Sequence, residues 1–128
     1  LEVRFMDRFF DLHVMDAAQH AVNGALTGDA GKRSEGLALS AEKLERAYGW
    51  LETRLAGMTW ATGDTFTLAD CAAAPALFYA DWVHRIGERY PVLRGYRARL
   101  LARPSVARAV DGARPYRALF PLGAPDRD

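Results

Sequence analysis

The stretch from Thr67 to Asp81 constrains this 128-residue chain more than any other. Its middle, Cys71-Ala-Ala-Ala-Pro-Ala-Leu-Phe-Tyr-Ala80, is apolar on every side, whereas a surface helix keeps one polar face. A helix of this kind runs through a core, and the rest of the chain has to surround it. Thr67-Leu-Ala-Asp70 supplies its start: the Thr67 hydroxyl accepts from a first-turn amide while Asp70 reaches back to the Thr67 amide. This capping box satisfies two donors that a helix start leaves unpaired. Phe66 before the box and Cys71 after it are placed to form a hydrophobic staple, which makes Cys71 a buried packing residue and not a nucleophile. Pro75 is expected to bend the helix, and the small Ala72, Ala73, Ala74 and Ala76 let neighbours approach closely. A carboxylate entering an apolar core looks like a general acid or base, but its bonds to backbone amides make Asp70 structural.

The elements that surround this helix are helical too. Val3 to Leu26 contains no Pro and one Gly, with Phe5, Phe9, Leu12 and Phe10, Ala17, Ala21 recurring at helical spacings. Thr27 to Gly36, short of apolar side chains and rich in Gly, reads as a turn or mobile loop. Leu37, Ala41, Leu44, Tyr48, Leu51 and Leu55 step by 4, 3, 4, 3 and 4, the seam of an antiparallel partner helix that ends near Gly57. Met58 to Phe66 is a loop anchored by Trp60 with a Gly63-Asp64 turn; Pro91 starts a helix to about Ala102, and Pro104 a short one to about Asp111. Abundant Ala, Leu and Arg against few Ile, Val and Thr argue against a sheet. The expected fold is an all-α bundle of five to six helices, forming one domain over residues 1–128.

Charge and cysteine content narrow the function classes. Residues 1–83 carry 7 basic and 12 acidic groups, and residues 84–128 carry 10 and 4. Arg97, Arg99, Arg103 and Arg108 alternate with Tyr96, Leu100, Leu101 and Val106 as the solvated face of helices would, which argues against nucleic acid as a partner. No uncharged apolar run approaches the roughly 20 residues of a membrane span. A single cysteine suits a reducing, cytoplasmic setting. Leu1-Glu2-Val3-Arg4 shows neither an initiator Met nor a signal-peptide layout, so the chain is expected to be a piece of a longer polypeptide.

Thr59-Trp-Ala-Thr-Gly-Asp-Thr-Phe-Thr-Leu-Ala-Asp70, continuing to Phe78-Tyr79, resembles the C-terminal domain of glutathione transferases in its Gly-Asp turn, apolar staple and Thr-x-x-Asp box. Pro91 to Val106, with its Arg103-Pro104, resembles the next two helices of the same family, and Arg8-Phe-Phe-Asp11 and Pro115 to Pro121 look like its bacterial branch. The resemblance implies the helical half of a two-domain, homodimeric detoxification enzyme that conjugates glutathione, its co-substrate, to small hydrophobic electrophiles without a further cofactor. It also implies that an N-terminal thioredoxin-like domain, absent from this chain, carries the catalytic residue, so that the chain alone has none.

The same resemblance places the first helix beside the active-site cleft. Asp11, Met15, Ala18 and Val22 step by 4, 3 and 4 from a charged start to an apolar end, suiting a cleft with a polar mouth. Asp11 lies where bacterial relatives place a polar residue near glutathione; a surface salt bridge to Arg8 or Arg4 is the alternative. Ala18 and Gln19 stand where relatives carry a basic side chain. Met15, Ala18, Gln19, Val22, Tyr79 and Tyr116 are the expected substrate contacts, with Phe10, Val14 and Ala21 as a competing face of the helix and Phe120 beside Tyr116 in the tail. Tyr79 and Tyr116 serve equally well as core anchors. His13, Asp16 and His20 share a stripe but lack a third His or a Cys, so no metal site is expected. A non-catalytic assembly module of the same fold is the rival reading, kept open by the Arg-rich segment 85–117.

Overall fold

The computed structural model describes residues 1–128 as an all-helical bundle. Helix α1 (Glu2–Phe9), a π-helical segment (Phe10–Met15) and α2 (Asp16–Leu26) form one uninterrupted rod, antiparallel to α3 (Ala30–Arg54). Helix α4 (Leu68–Val83), α5 (Pro91–Ala102), α6 (Pro104–Ala113) and a 3-10 turn (Arg114–Leu119) follow. The seam read from α3 is the one used: Leu44, Tyr48, Leu51 and Leu55 are buried, and Gly57 closes the helix end at φ +77°. Both prolines start helices, Pro91 and Pro104 occupying first-turn positions where no amide hydrogen is needed. Trp60 and Gly63 exchange backbone bonds of 2.8 and 3.2 Å, closing the loop before α4. No helix is long and apolar enough to cross a membrane.

The first rod buries one helical stripe. Met6, Phe10, Val14, Ala17 and Ala21 are at most 3% exposed and step by 4, 4, 3 and 4. A π ring, closed from the Asp16 amide to the Asp11 carbonyl, lies within this stretch. Phe10, Val14 and Ala21 are thus on the internal face, and Ala18 joins them at 4% exposure.

The expected loop over Thr27–Gly36 is corrected to a turn of three residues. Gly28 takes φ +72°, Thr27 Oγ1 accepts from the Asp29 amide at 3.1 Å, and Asp29 caps α3 by accepting from the Lys32 amide at 2.9 Å. The glycines that suggested mobility serve contact instead. A Cβ on Gly36 would lie 2.4 Å from the His20 carbonyl oxygen, and one on Gly24 2.5 Å from that of Lys32. The rod and α3 thus touch backbone to backbone. Between them the buried Ser40 hydroxyl accepts from the Ala21 amide at 2.9 Å and donates to the Ala17 carbonyl at 2.7 Å. It bonds an amide and a carbonyl that stand four residues apart on α2.

A second correction concerns the arginines of α5. Arg97 is not on a solvated face: its side chain is 13% exposed, and it donates to the Leu77 and Phe78 carbonyls at 3.1 and 3.2 Å. Arg99 donates to the Thr59 carbonyl at 3.1 Å, and Arg103 lies 3.5 Å above the Phe66 ring centroid. These side chains fasten α5 to α4 and to the 58–66 loop, a use of arginine that helical periodicity cannot distinguish from solvation.

The crossing yields a paired test within α3. Gly36→Ala should lower stability by about 1 to 3 kcal/mol, because its methyl group meets backbone. Gly49→Ala, with nothing within 4 Å of the added carbon, should raise stability by about 0.5 to 1 kcal/mol through helix propensity. Urea midpoints that move in the same direction would refute the contact role of Gly36.

Candidate functional site

Asp70 is fully buried at the first turn of α4, and both its oxygens are occupied. One accepts from the Ala61 amide at 2.8 Å and from the Tyr96 hydroxyl at 2.6 Å; the other accepts from the Thr67 amide at 2.9 Å. Thr67 Oγ1 accepts in turn from the Ala69 amide at 3.2 Å, and the capping box is complete. Burial, then the bond to Asp70, push the Tyr96 hydroxyl far above its ordinary pKa, so it stays a donor across the working pH range. Asp70 thereby joins the 58–66 loop, α4 and α5, with no free lone pair directed at an open surface. The Ala61 and Tyr96 contacts carry no local sequence signature, since they come from 9 and 26 residues away.

Residues 34–99 match the family described as glutathione S-transferase, C-terminal domain. The chain belongs to that family. No curated protein matches it. The matched span contains all of the Asp70 network, from Ala61 through Thr67 to Tyr96, and most of α3 and α5. The first rod and the tail lie outside it.

This glutathione S-transferase domain carries an apolar cavity of about 350 Å³ between α4 and α6. Phe66, Cys71, Pro75, Tyr79, Val106 and Val110 are among its walls, and ten of its twelve lining residues are hydrophobic, as suits an apolar ligand. A second cavity of about 280 Å³ shares Tyr79 and is lined by Trp82, Tyr116 and Phe120. The Phe120 ring stacks on Tyr79 at 6.0 Å and meets Trp82 edge-on at 5.3 Å, so the tail is fixed against the end of α4.

Cys71 is exposed and lines the larger cavity, which corrects its expected burial in a staple. Leu68, Cys71, Pro75 and Tyr79 share one stripe of α4 that the bundle leaves uncovered. The helix is thus apolar on every side yet not enclosed on every side. Tyr79 is 37% exposed with its hydroxyl unbonded, not anchored in the core.

The expected substrate residues separate into two places. Tyr79 and Tyr116 come together across the smaller cavity, Tyr116 being largely exposed. Ala18 packs in the core and does not face a cleft; Met15 and Val22 are half-buried on the rod, and none of the three lines either cavity. Gln19 is exposed, donating to Asn23 at 3.0 Å. Asp11 is exposed on the π segment without an ion pair to Arg4 or Arg8. The His13 ring lies tilted against Phe9 at 5.0 Å, and no group of His, Cys, Asp or Glu side chains is arranged to hold a metal ion.

Asp70→Ala should destabilise the domain by about 3 kcal/mol or more, as it leaves the Ala61 and Thr67 amides and the Tyr96 hydroxyl without their acceptor. Tyr96→Phe should cost about 1.5 to 3 kcal/mol, the range for a hydrogen bond to a charged group. In the double mutant the two losses should fall short of their sum, and strict additivity in urea unfolding would count against a shared network.

Proposed function

We propose that this chain is the helical half of a glutathione transferase that conjugates glutathione to small hydrophobic electrophiles. The observation that carries the reading is the pair of adjoining apolar cavities on either side of Tyr79, in a chain of this family. Their walls offer an electrophile aromatic and aliphatic surface and few hydrogen-bonding groups, so this half holds and orients the acceptor. Activation of the glutathione sulfur falls to a Ser, Tyr or Cys of a thioredoxin-like N-terminal domain. The uncovered stripe of Leu68, Cys71, Pro75 and Tyr79 is the surface we assign to that domain, because contact there closes the cavity against water.

Two further parts of the reading concern the first rod. Asp11, exposed and unpaired, is available to the amino group of glutathione, and Met15 and Val22 border the same rod face. Phe5, Leu12 and Trp50 are exposed, Phe9 stacks on Trp50 at 4.3 Å, and the hollow beside them measures about 360 Å³. A patch of this kind marks an interface, and we assign it to a homodimer. The internal roles of Arg97, Arg99 and Arg103 leave the assembly-module alternative with less free basic surface than the composition suggested.

Four outcomes are expected. In the full-length enzyme, Tyr79→Ala should raise KM for bulky electrophiles severalfold and leave KM for glutathione within about twofold, whereas Asp11→Ala should raise KM for glutathione by about tenfold or more, the size of a charge-assisted hydrogen bond. Mutants that each affect both substrates equally would overturn the division of roles. Trp50→Glu should shift the sedimentation coefficient from dimer to monomer. The 128-residue chain by itself should not turn over a chlorinated nitrobenzene with glutathione.

A further inference from the structure

Where the C-terminal end of α4 meets α5 and the tail, a polar cavity of about 190 Å³ is lined by Arg85, Arg94, Arg97 and Arg127 together with Asp81 and Asp128. The two carboxylates do not balance the four guanidinium groups. Asp81 gives one oxygen to the Ile86 amide at 2.9 Å and shares the other between Arg127 at 3.2 Å and Arg97 at 3.9 Å. Asp128 is held from outside the cavity by Arg114, through bonds of 3.0 and 2.9 Å, and by Arg117, a grip that brings its carboxyl down to about 2. Arg85 and Arg94 have no carboxylate partner, and neither donates to a backbone carbonyl.

Arg127 is tied to the cavity wall, its Nη2 donating to the Asp81 carbonyl at 2.9 Å. Arg85 and Arg94 are thus the guanidinium groups left free to bind. A tetrahedral oxyanion presents several acceptor oxygens to converging planar forks and carries the charge that the arginines lack. We infer that this cavity binds a phosphate-type dianion, taken up free or as the head of a small phosphomonoester. It is lined by different residues from the Tyr79 cavities, so occupation of one leaves the other open.

Titration calorimetry on the full chain, at constant ionic strength made up with chloride, tests the inference with inorganic phosphate and with phenyl phosphate. Saturable uptake of one phosphate per chain is expected, weakened about tenfold or more by Arg94→Gln and lost at millimolar concentrations in the Arg85→Gln, Arg94→Gln pair. Because neither side chain bonds the fold, the pair should keep the unfolding midpoint of the parent chain in chloride. Phenyl phosphate binding as tightly as the free ion would support a monoester ligand, and binding of inorganic phosphate alone would support the free ion. Non-saturable heats, equal affinity in parent and double variant, or affinity for a polynucleotide alone would overturn the site.

Discussion

The carboxylate of Asp70 is the point through which the helices of this domain are held in register. It ends the start of α4, receives an amide from the loop ahead of it and the hydroxyl of Tyr96 from α5, all inside a region with no access to water. Each donor would be costly to bury alone, and together they fix the angle at which α4 leaves its loop. That angle decides which stripe of α4 is covered. Ala73, Leu77 and Ala80 face inward, and Cys71, Pro75 and Tyr79 are turned to the cavity beside α6. The apolar site therefore rests on a polar contact that takes no part in its lining.

Arginine does comparable work at the other end of the same helix. Arg97 reaches from α5 to the Leu77 and Phe78 carbonyls, and burial pulls its pKa down while Asp81 acts against that fall. The Tyr48 hydroxyl donates to the His84 carbonyl at 2.7 Å, closing the turn that follows. Both ends of α4 are thus fixed by side chains from other helices, which a helix rich in alanine needs because its own small side chains bury little area.

What could be read in advance was whatever leaves a local mark. Thr67 and Asp70 stand three apart before an apolar run, Pro91 and Pro104 start helices, and Leu44, Tyr48, Leu51 and Leu55 repeat along one face. Gly36 leaves no such mark, for a glycine that permits helix contact and one that permits a turn are the same letter. On the first rod, counting by 3.6 admits both Asp11, Met15, Ala18, Val22 and Phe10, Val14, Ala21, and packing against other helices, which leaves no local mark, decides that Phe10, Val14 and Ala21 are buried. Of the candidate site, Tyr79 and Tyr116 were within reach of sequence reasoning. The cavity walls on α6, Val106 and Val110, were not, since their partners lie some thirty residues away across the bundle.

The Ser40 hydroxyl bonds an amide and a carbonyl of α2 from another helix. A helix normally owns its hydrogen bonds and can fray or breathe without consulting its neighbours. Here the Ala21 amide also donates to α3, so its hydrogen is held back from exchange with solvent until the two helices part. The two longest elements of the domain therefore open as one unit, which makes the rod a stiff wall against which any partner domain or ligand is positioned.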